Sequence, residues 1–201
     1  MSDALTIRPA RDSEAGRLAE LIATAFHPIP PNVWLIPEEE PRRKRFVPFF
    51  RIWADHALAE GRVDVLADEN DEMVAAALWW THPMSEPPDY PQRVAEAVGE
   101  YLPNFEVFDE GMQKMHPDEP HEYLGFLATW PEHQSKGYGS RLLRHRHAEL
   151  DAAGRCAYLA AASEEARRLY LRHGYTDHGE PMRLPNGPKM WPMWREPSPQ
   201  G

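Results

Sequence analysis

Residues Leu124–Leu143 read LGFLATWPEHQSKGYGSRLL: an apolar, strand-like run, a proline, and then Gln134, Lys136 and two alternating glycines, Gly137 and Gly139, at the head of a polar helical pattern. A strand that leads through a glycine-rich turn into a helix leaves the first-turn N–H groups unpaired at the positive end of the helix dipole, which is an anion-binding arrangement. Glycine lets the main chain come close to a phosphate, and Lys136 adds positive charge. Two phosphate loops do not fit. A P-loop needs its lysine after the glycines, whereas Lys136 precedes them. A dinucleotide fingerprint needs a third small residue where Leu142 stands and an acidic end to the next strand, where Ala160, Ala161 and Ala162 stand. On spacing alone, a capped turn with no ligand accounts for the same residues.

Outward from this stretch, the chain alternates. CAYLAAA (Cys156–Ala162) reads as a buried strand, and SEEARRLYLRHG (Ser163–Gly174) as a helix capped by Ser163 and closed by Gly174. YTDHGEPMRL and KMWPMWR then flank a PNGP turn as two strands. Upstream, ALTIRPA begins a strand and DSEAGRLAELIATAF a helix, and EPRRKRFVPFFRIWADHALAEG is a second helix with an aromatic stripe. RVDVLAD and MVAAALWW form a hairpin. The proline clusters His27–Pro41 and Thr81–Pro91 read as loops, and the segment at about 81–121 as an insertion carrying two short helices broken by Pro103. The order implies one α/β domain over residues 1–201, a mixed sheet with helices on both faces.

Charge and composition narrow the function. A net charge of -10 and a pI near 5.5 oppose phosphate-backbone binding, so no nucleic-acid partner is expected and a cationic small molecule suits the chain better. No apolar run reaches the roughly 20 residues of a membrane span. MSDALTIRP lacks the pattern of a leader, and the cytoplasm is the expected location. Cys156, the single cysteine, is expected in the middle of a buried strand as an inert thiol. HEYLG at His121 is not a zinc-helix motif, and His145 and His147 do not share a helix face, so no metal is expected.

The quoted stretch resembles the acetyl-coenzyme A motif of the GNAT superfamily of N-acetyltransferases, an apolar strand, a proline and Q/R-x-x-G-x-G/A opening a helix. SEEARRLYLRHGY (Ser163–Tyr175) is similar to that family's next motif, in the family's order and at its separation. The layout of the remaining chain looks like the branch that includes puromycin N-acetyltransferase. The resemblance implies a mostly antiparallel central sheet with a splayed parallel strand pair, and acetyl transfer from acetyl-coenzyme A to an amine by direct attack. It implies that backbone groups of Leu127, Ala128 and Thr129 pair with the pantetheine arm. Gln134, Ser135, Lys136, Gly137, Tyr138, Gly139 and Ser140 would cradle the pyrophosphate, with Arg141, Arg144 and Arg172 as further charges. Ser163 stands where the family commonly has asparagine.

The resemblance also places the general acid at Tyr170. A phenol of pKa about 10 can protonate a thiolate whose thiol has a pKa of about 8.5. His121 and Glu122, at the start of the motif strand, are the candidate bases, and neighbouring strand residues point to opposite faces, so at most one can serve. The expected acceptor is a small cationic amine, an antibiotic or biosynthetic intermediate, handled by a monomer or homodimer. A protein N-terminal or lysine acetyltransferase and a non-catalytic acyl-coenzyme A-binding domain are the alternatives.

Overall fold

The computed structural model describes residues 5–198; the opening MSDA of the stretch read for a leader lies outside them. The hairpin expected at the centre is β2 (Arg62–Ala67) and β3 (Met73–His82), and β1 (Thr6–Pro9) pairs with the outer edge of β2. On the other side of β3 lies β4 (His121–Thr129), followed by β5 (Ala157–Ala161), β8 (Lys189–Arg195) and the short β6 (Thr176–Asp177), while β7 (Met182–Arg183) pairs with β8. Every pairing is antiparallel except β4 with β5. This is a mixed, mostly antiparallel sheet with one parallel pair.

Both faces of the sheet are covered, which explains why β3 is apolar and buried from Met73 to Trp80 rather than alternating. Leu78 and Trp80 face a core built with α1 (Ala15–Phe26) and α3 (Glu39–Glu60), where Leu18, Ile22, Phe46 and Phe50 are buried. Ala75, Ala77 and Trp79 face the opposite way, onto Leu142, Leu143 and Leu150 of α6 (Tyr138–Ala152). The period of two along the strand thus feeds two cores, and the alanines let the covering helices approach closely.

Three expectations are corrected. The first proline cluster is not all loop, because Pro30–Leu35 forms a short helix, α2, with a proline in its first turn where the missing N–H has no intrahelical partner to lose. The two inserted helices are α4 (Tyr90–Val98) and α5 (Leu102–Met115), but the break is at Gly99, with φ 58°, and not at Pro103, which lies in the first turn of α5. Cys156 precedes β5 and is half-buried, and its thiol donates to Glu196 Oε2 at 3.0 Å. Burial and that carboxylate push the thiol up to about 11, so it is unreactive for a reason other than the one expected.

The central β3–β4 pairing is irregular at one point. Its register passes from Leu78↔Phe126 to Trp79↔Leu124, which leaves Gly125 as an extra, bulged residue in β4. A Cβ at Gly125 would stand 2.5 Å from the Trp80 ring, so the bulge admits only glycine without displacing that ring. Beyond it, β4 parts from β5: the two pair only at Glu122↔Ala157 and Tyr123↔Tyr158, although β4 continues to Thr129 and β5 to Ala161.

Candidate active site

The parting of β4 from β5 opens a cleft of about 1080 Å³ that runs from the glycine-rich turn to the inserted helices. From Leu124 to Thr129 the β5-facing edge of β4 has no strand partner, so its backbone groups are available to something that lies in the cleft. Leu127 and Thr129 line that cleft, whereas the Ala128 side chain is 2% exposed on the far side of the strand, as the alternation of strand side chains requires.

At the turn, Gly137 has φ 78° and Ser135 φ 60°, both left-handed, a conformation from which anion-binding nests of backbone N–H groups are built. Among the described residues, the backbone N–H groups from Ser135 through Ser140 donate to no backbone carbonyl; the ladder of α6 begins only with Arg141 N–H to Gly137 O at 3.0 Å. The Gln134 amide donates to Thr129 O at 3.2 Å and ties the turn back to the strand end. Gln134, Ser135, Gly137, Tyr138, Gly139 and Ser140 all line the cleft. Lys136 does not: its side chain is exposed and its Nζ lies 3.4 Å from His133 Nδ1, so the loop's one lysine projects to solvent. Arg141 donates to Leu5 O and Arg144 is exposed outside the cleft, which leaves Arg172, of the three arginines, on its wall.

Helix α7 (Glu164–Arg172) forms the facing wall. Ser163 caps it, its Oγ accepting from Ala166 N–H at 3.1 Å, and the free O–H can still donate outward. Ser163, Ala166 and Tyr170 line the cleft together, as their helical spacing requires. His173 Nε2 and Ser140 Oγ, 2.9 Å apart, join the end of α7 to the first turn of α6. Tyr170 is half-buried, edge-on to Tyr175 at 5.7 Å. Burial first, and the nearby Tyr123 second, push its phenol above the ordinary value, so it stays protonated throughout the physiological range.

Neither candidate base lies on the cleft wall. Glu122 is 1% exposed beneath α6, where it accepts from Thr81 Oγ1 at 2.8 Å, Arg146 at 2.7 Å and Arg155 at 2.9 Å. This carboxylate is taken up by two guanidinium groups and a hydroxyl, and it does not line the cleft. His121 turns to the opposite face but is itself 1% exposed, behind His116. Its Nδ1–H donates to Glu119 O at 2.6 Å, which leaves a lone pair on Nε2, and His116 Nε2 lies 3.1 Å away. His116 therefore donates inward to His121 and keeps a free lone pair on Nδ1. Burial first, then the charges of His121 and His82, bring His116 down to about 4, so it is neutral at pH 7.

His82 completes a cluster that linear spacing did not reveal, for one ligand atom from each of His82, His116 and His121 lies within 4.8 Å of the others. The His82 and His121 rings are stacked at 4.6 Å with planes 8° apart. Their in-plane lone pairs run side by side rather than converging, so this arrangement must turn a ring before all three could bind one ion.

Sequence reasoning also missed Asp109 and Tyr90. Asp109 lines the far end of the cleft and accepts from the Tyr90 hydroxyl at 3.0 Å. No local pattern marks either residue; their proximity arises only because α4 and α5 fold over the same end of the sheet.

Residues 94–177 match the family model for the acetyltransferase (GNAT) domain. The structure is similar to that of a protein described as histone acetyltransferase HPA2 and related acetyltransferase from Corynebacterium glutamicum, at 26% identity, with 96% of this chain and 97% of that one covered and a TM-score of 0.74. It is also similar to arylalkylamine N-acetyltransferase 2 from Aedes aegypti, at 11% identity, with 98% and 100% covered and a TM-score of 0.66. The C-terminal condensation domain of Ebony, solved with β-alanyl-dopamine, matches at 14% identity, 96% and 99% coverage and a TM-score of 0.66. With the parted strands and the glycine turn, these findings identify a GNAT acetyltransferase domain match over residues 94–177 and a fold shared with solved acetyltransferases along the chain. It is a transferase enzyme, and its chemistry is acetyl transfer.

Proposed function

We propose that residues 1–201 form one N-acetyltransferase domain that moves an acetyl group from acetyl-coenzyme A to the nitrogen of a small cationic amine. One observation carries the reading: a strand edge without a partner and five residues of the glycine turn whose backbone N–H groups are unpaired line the same cleft. The strand edge suits the amide-bearing pantetheine arm, and the donor-rich head of α6 suits a pyrophosphate. Acetyl-coenzyme A would supply the activated acetyl thioester.

The chain's residues then divide the work. Leu127 to Thr129 hold the arm through backbone, and the Ser163 hydroxyl has a proton to offer it. Ser135, Gly137, Tyr138, Gly139 and Ser140 hold the phosphates through N–H groups, with Lys136 contributing little from its exposed position. Tyr170 Oη supplies the proton that the departing sulfur takes. His116, in place of His121 or Glu122, accepts the amine's proton at Nδ1, and its Nε2 proton can pass to His121 Nε2.

The α2 segment and the inserted helices both contribute walls to the cleft, and this roofing favours a small molecule over a polypeptide acceptor. Two of the similar structures are described with small amines or a conjugate of one, and a third as a histone acetyltransferase, which keeps a protein acceptor as the rival. The acidic chain, with no helix long and apolar enough to cross a membrane among its described residues, fits action in the cytoplasm without nucleic acid, as monomer or homodimer.

The test is thiol release from acetyl-coenzyme A across arylalkylamines, aminonucleosides, aminoglycosides, polyamines and a histone-tail peptide. A small amine should lead by at least tenfold in kcat/KM. Preference for the peptide would overturn the small-molecule reading, and a melting temperature unmoved by acetyl-coenzyme A would overturn the whole proposal.

A further inference from the structure

The end of the cleft beyond the bulge is aromatic. Phe26, Phe50, Trp53, Trp80, Tyr90 and Phe126 come from five different elements and pack edge to face, with Trp53–Tyr90 centroids 5.3 Å apart, Phe50–Phe126 5.6 Å and Trp53–Trp80 5.9 Å. Asp109 sits at this end, half-buried, with the Tyr90 hydroxyl as its one side-chain partner among the described residues. No lysine or arginine of the described chain lines the cleft except Arg172, which lies at the opposite, α7 wall. The carboxyls nearby add to the deficit, since Glu86 also lines the cleft and raises the pKa of Asp109.

A carboxylate among rings, without a cation from its own chain, is in an unfavourable position until a cation arrives. Burial, opposed by the Tyr90 hydrogen bond and supported by Glu86, brings Asp109 up to about 6, so it is still mostly ionised at pH 7. The rings are suited to both halves of such a guest: their faces attract an ammonium, and their edges and planes accept a flat apolar body. Asp109, Tyr123 and Tyr170 line the same cleft, so carboxyl and proposed general acid face one continuous space.

We propose that Asp109, hydrogen-bonded to Tyr90, whose ring packs on Trp53 in the same cleft as Phe50 and Phe126, is the specificity determinant that binds the ammonium of an acceptor carrying an aromatic or similarly flat apolar group. The inference rests on the acetyl-transfer reading and narrows its acceptor class to amines of the arylalkyl type, against polyamines and polyhydroxylated aminosugars. Asp109 binds through charge and is not assigned the proton transfer.

The experiment uses a probe that cannot be acetylated, phenethyltrimethylammonium, so that binding is measured apart from turnover. Calorimetry on the full chain should show the probe binding at least tenfold more tightly than tetramethylammonium, which lacks the ring, and more tightly than the probe's neutral carbon isostere. Asp109→Asn keeps the shape and an acceptor for Tyr90; it should weaken the probe at least tenfold and leave the neutral isostere within about twofold. Tyr90→Phe, which keeps the ring, should weaken the probe less than Asp109→Asn does. Binding of acetyl-coenzyme A, followed by melting temperature, should be unchanged in both variants. Equal binding of charged and neutral probes, or of the probe by wild type and Asp109→Asn, overturns the inference even where amine acetylation is observed. Loss of acetyl-coenzyme A binding by the wild type would instead overturn the acetyl-transfer reading.

Discussion

The two ends of the cleft are built on opposite plans. At the glycine-rich turn, one continuous segment from Gln134 to Ser140 presents backbone N–H groups, and side-chain identity matters at few positions. At the aromatic end, the proposed amine site, Phe26, Trp53, Trp80, Tyr90, Asp109, His116 and Tyr123 come from six separate stretches, and side chains form the wall. A ligand that is always the same can be held by main chain, which any sequence possesses once the turn has formed. A ligand that varies needs groups that can be exchanged singly without disturbing the fold. The first end should therefore be sensitive to backbone conformation and indifferent to charge, and the second the reverse.

The largest effect is expected between the two ends, at Tyr170. Tyr170→Phe keeps the edge-on packing against Tyr175 and removes the proton, so single-turnover acetylation should fall about 100-fold to 10,000-fold while acetyl-coenzyme A affinity stays within about twofold. The penalty should shrink with a more activated thioester, because a better leaving group needs the proton less. A wild-type single-turnover rate in the variant would reduce Tyr170 to a packing residue.

Acid should come next, and it should act on the core beside both ends. Burial, then Arg195 and His173, bring His147 down to about 3, and His116 lies at about 4. Both folded values are below the unfolded pKa of about 6.5, so the unfolded chain takes up protons that the fold refuses. Stability is thus complete above about pH 6.5 and falls as pH drops toward the folded values. At pH 5, the buried His147 alone should cost about 2 kcal/mol, with the more exposed His116 adding less. Urea midpoints between pH 8 and 5 measure this, and His147→Gln should be less stable at pH 8 yet show a shallower decline.

Gly125 tests whether the bulge serves the amine end. Gly125→Ala places a methyl 2.5 Å from the Trp80 ring, which must move, and overpacking of this kind costs about 1–3 kcal/mol. The expected signature is a raised KM for the amine with unchanged affinity for acetyl-coenzyme A. An equal loss at both substrates would mean that the bulge sets the strand parting as well as the wall.

The smallest pair of effects separates conformation from charge at the glycine turn. Gly137 is left-handed, yet a Cβ there would meet nothing within 4 Å, so Gly137→Val acts by backbone strain and by obstructing a ligand held close to the main chain. Acetyl-coenzyme A affinity should fall about tenfold or more. Gly139, where a Cβ would touch Leu127 at 3.4 Å in ordinary contact and φ is not positive, should tolerate alanine better. Lys136→Ala should change affinity about twofold or less, because an exposed charge is well screened. A Lys136 effect exceeding that of Gly137 would reverse the comparison between the ends.

What could be read from the chain alone follows the same division. Strand and helix periodicity, the caps at Ser163 and Gly174 and the glycine turn are local, so their physics acts between residues a few positions apart and leaves a pattern in sequence. The order of elements and the glycine turn with its unpaired N–H groups are legible for that reason, as is the common face of Ser163, Ala166 and Tyr170. The errors also have local causes. Pro30 looks like a loop signal although a helix's first turn accepts proline, and Pro103 looks like the break that the left-handed Gly99 makes one turn earlier.

Tertiary structure alone decided the rest. His121 and Glu122 are neighbours in sequence, and only the packing of α6 with Arg146 and Arg155 gives the carboxylate to one side of the sheet and the imidazole to the other. Neither of them lines the cleft, and His116, which does, stands between it and His121. The pairing of Asp109 with Tyr90, 19 positions apart, depends on two helices crossing over one end of the sheet. Burial, and with it the pKa of each group, is set by what lies on every side, and a linear neighbourhood supplies only two of those sides.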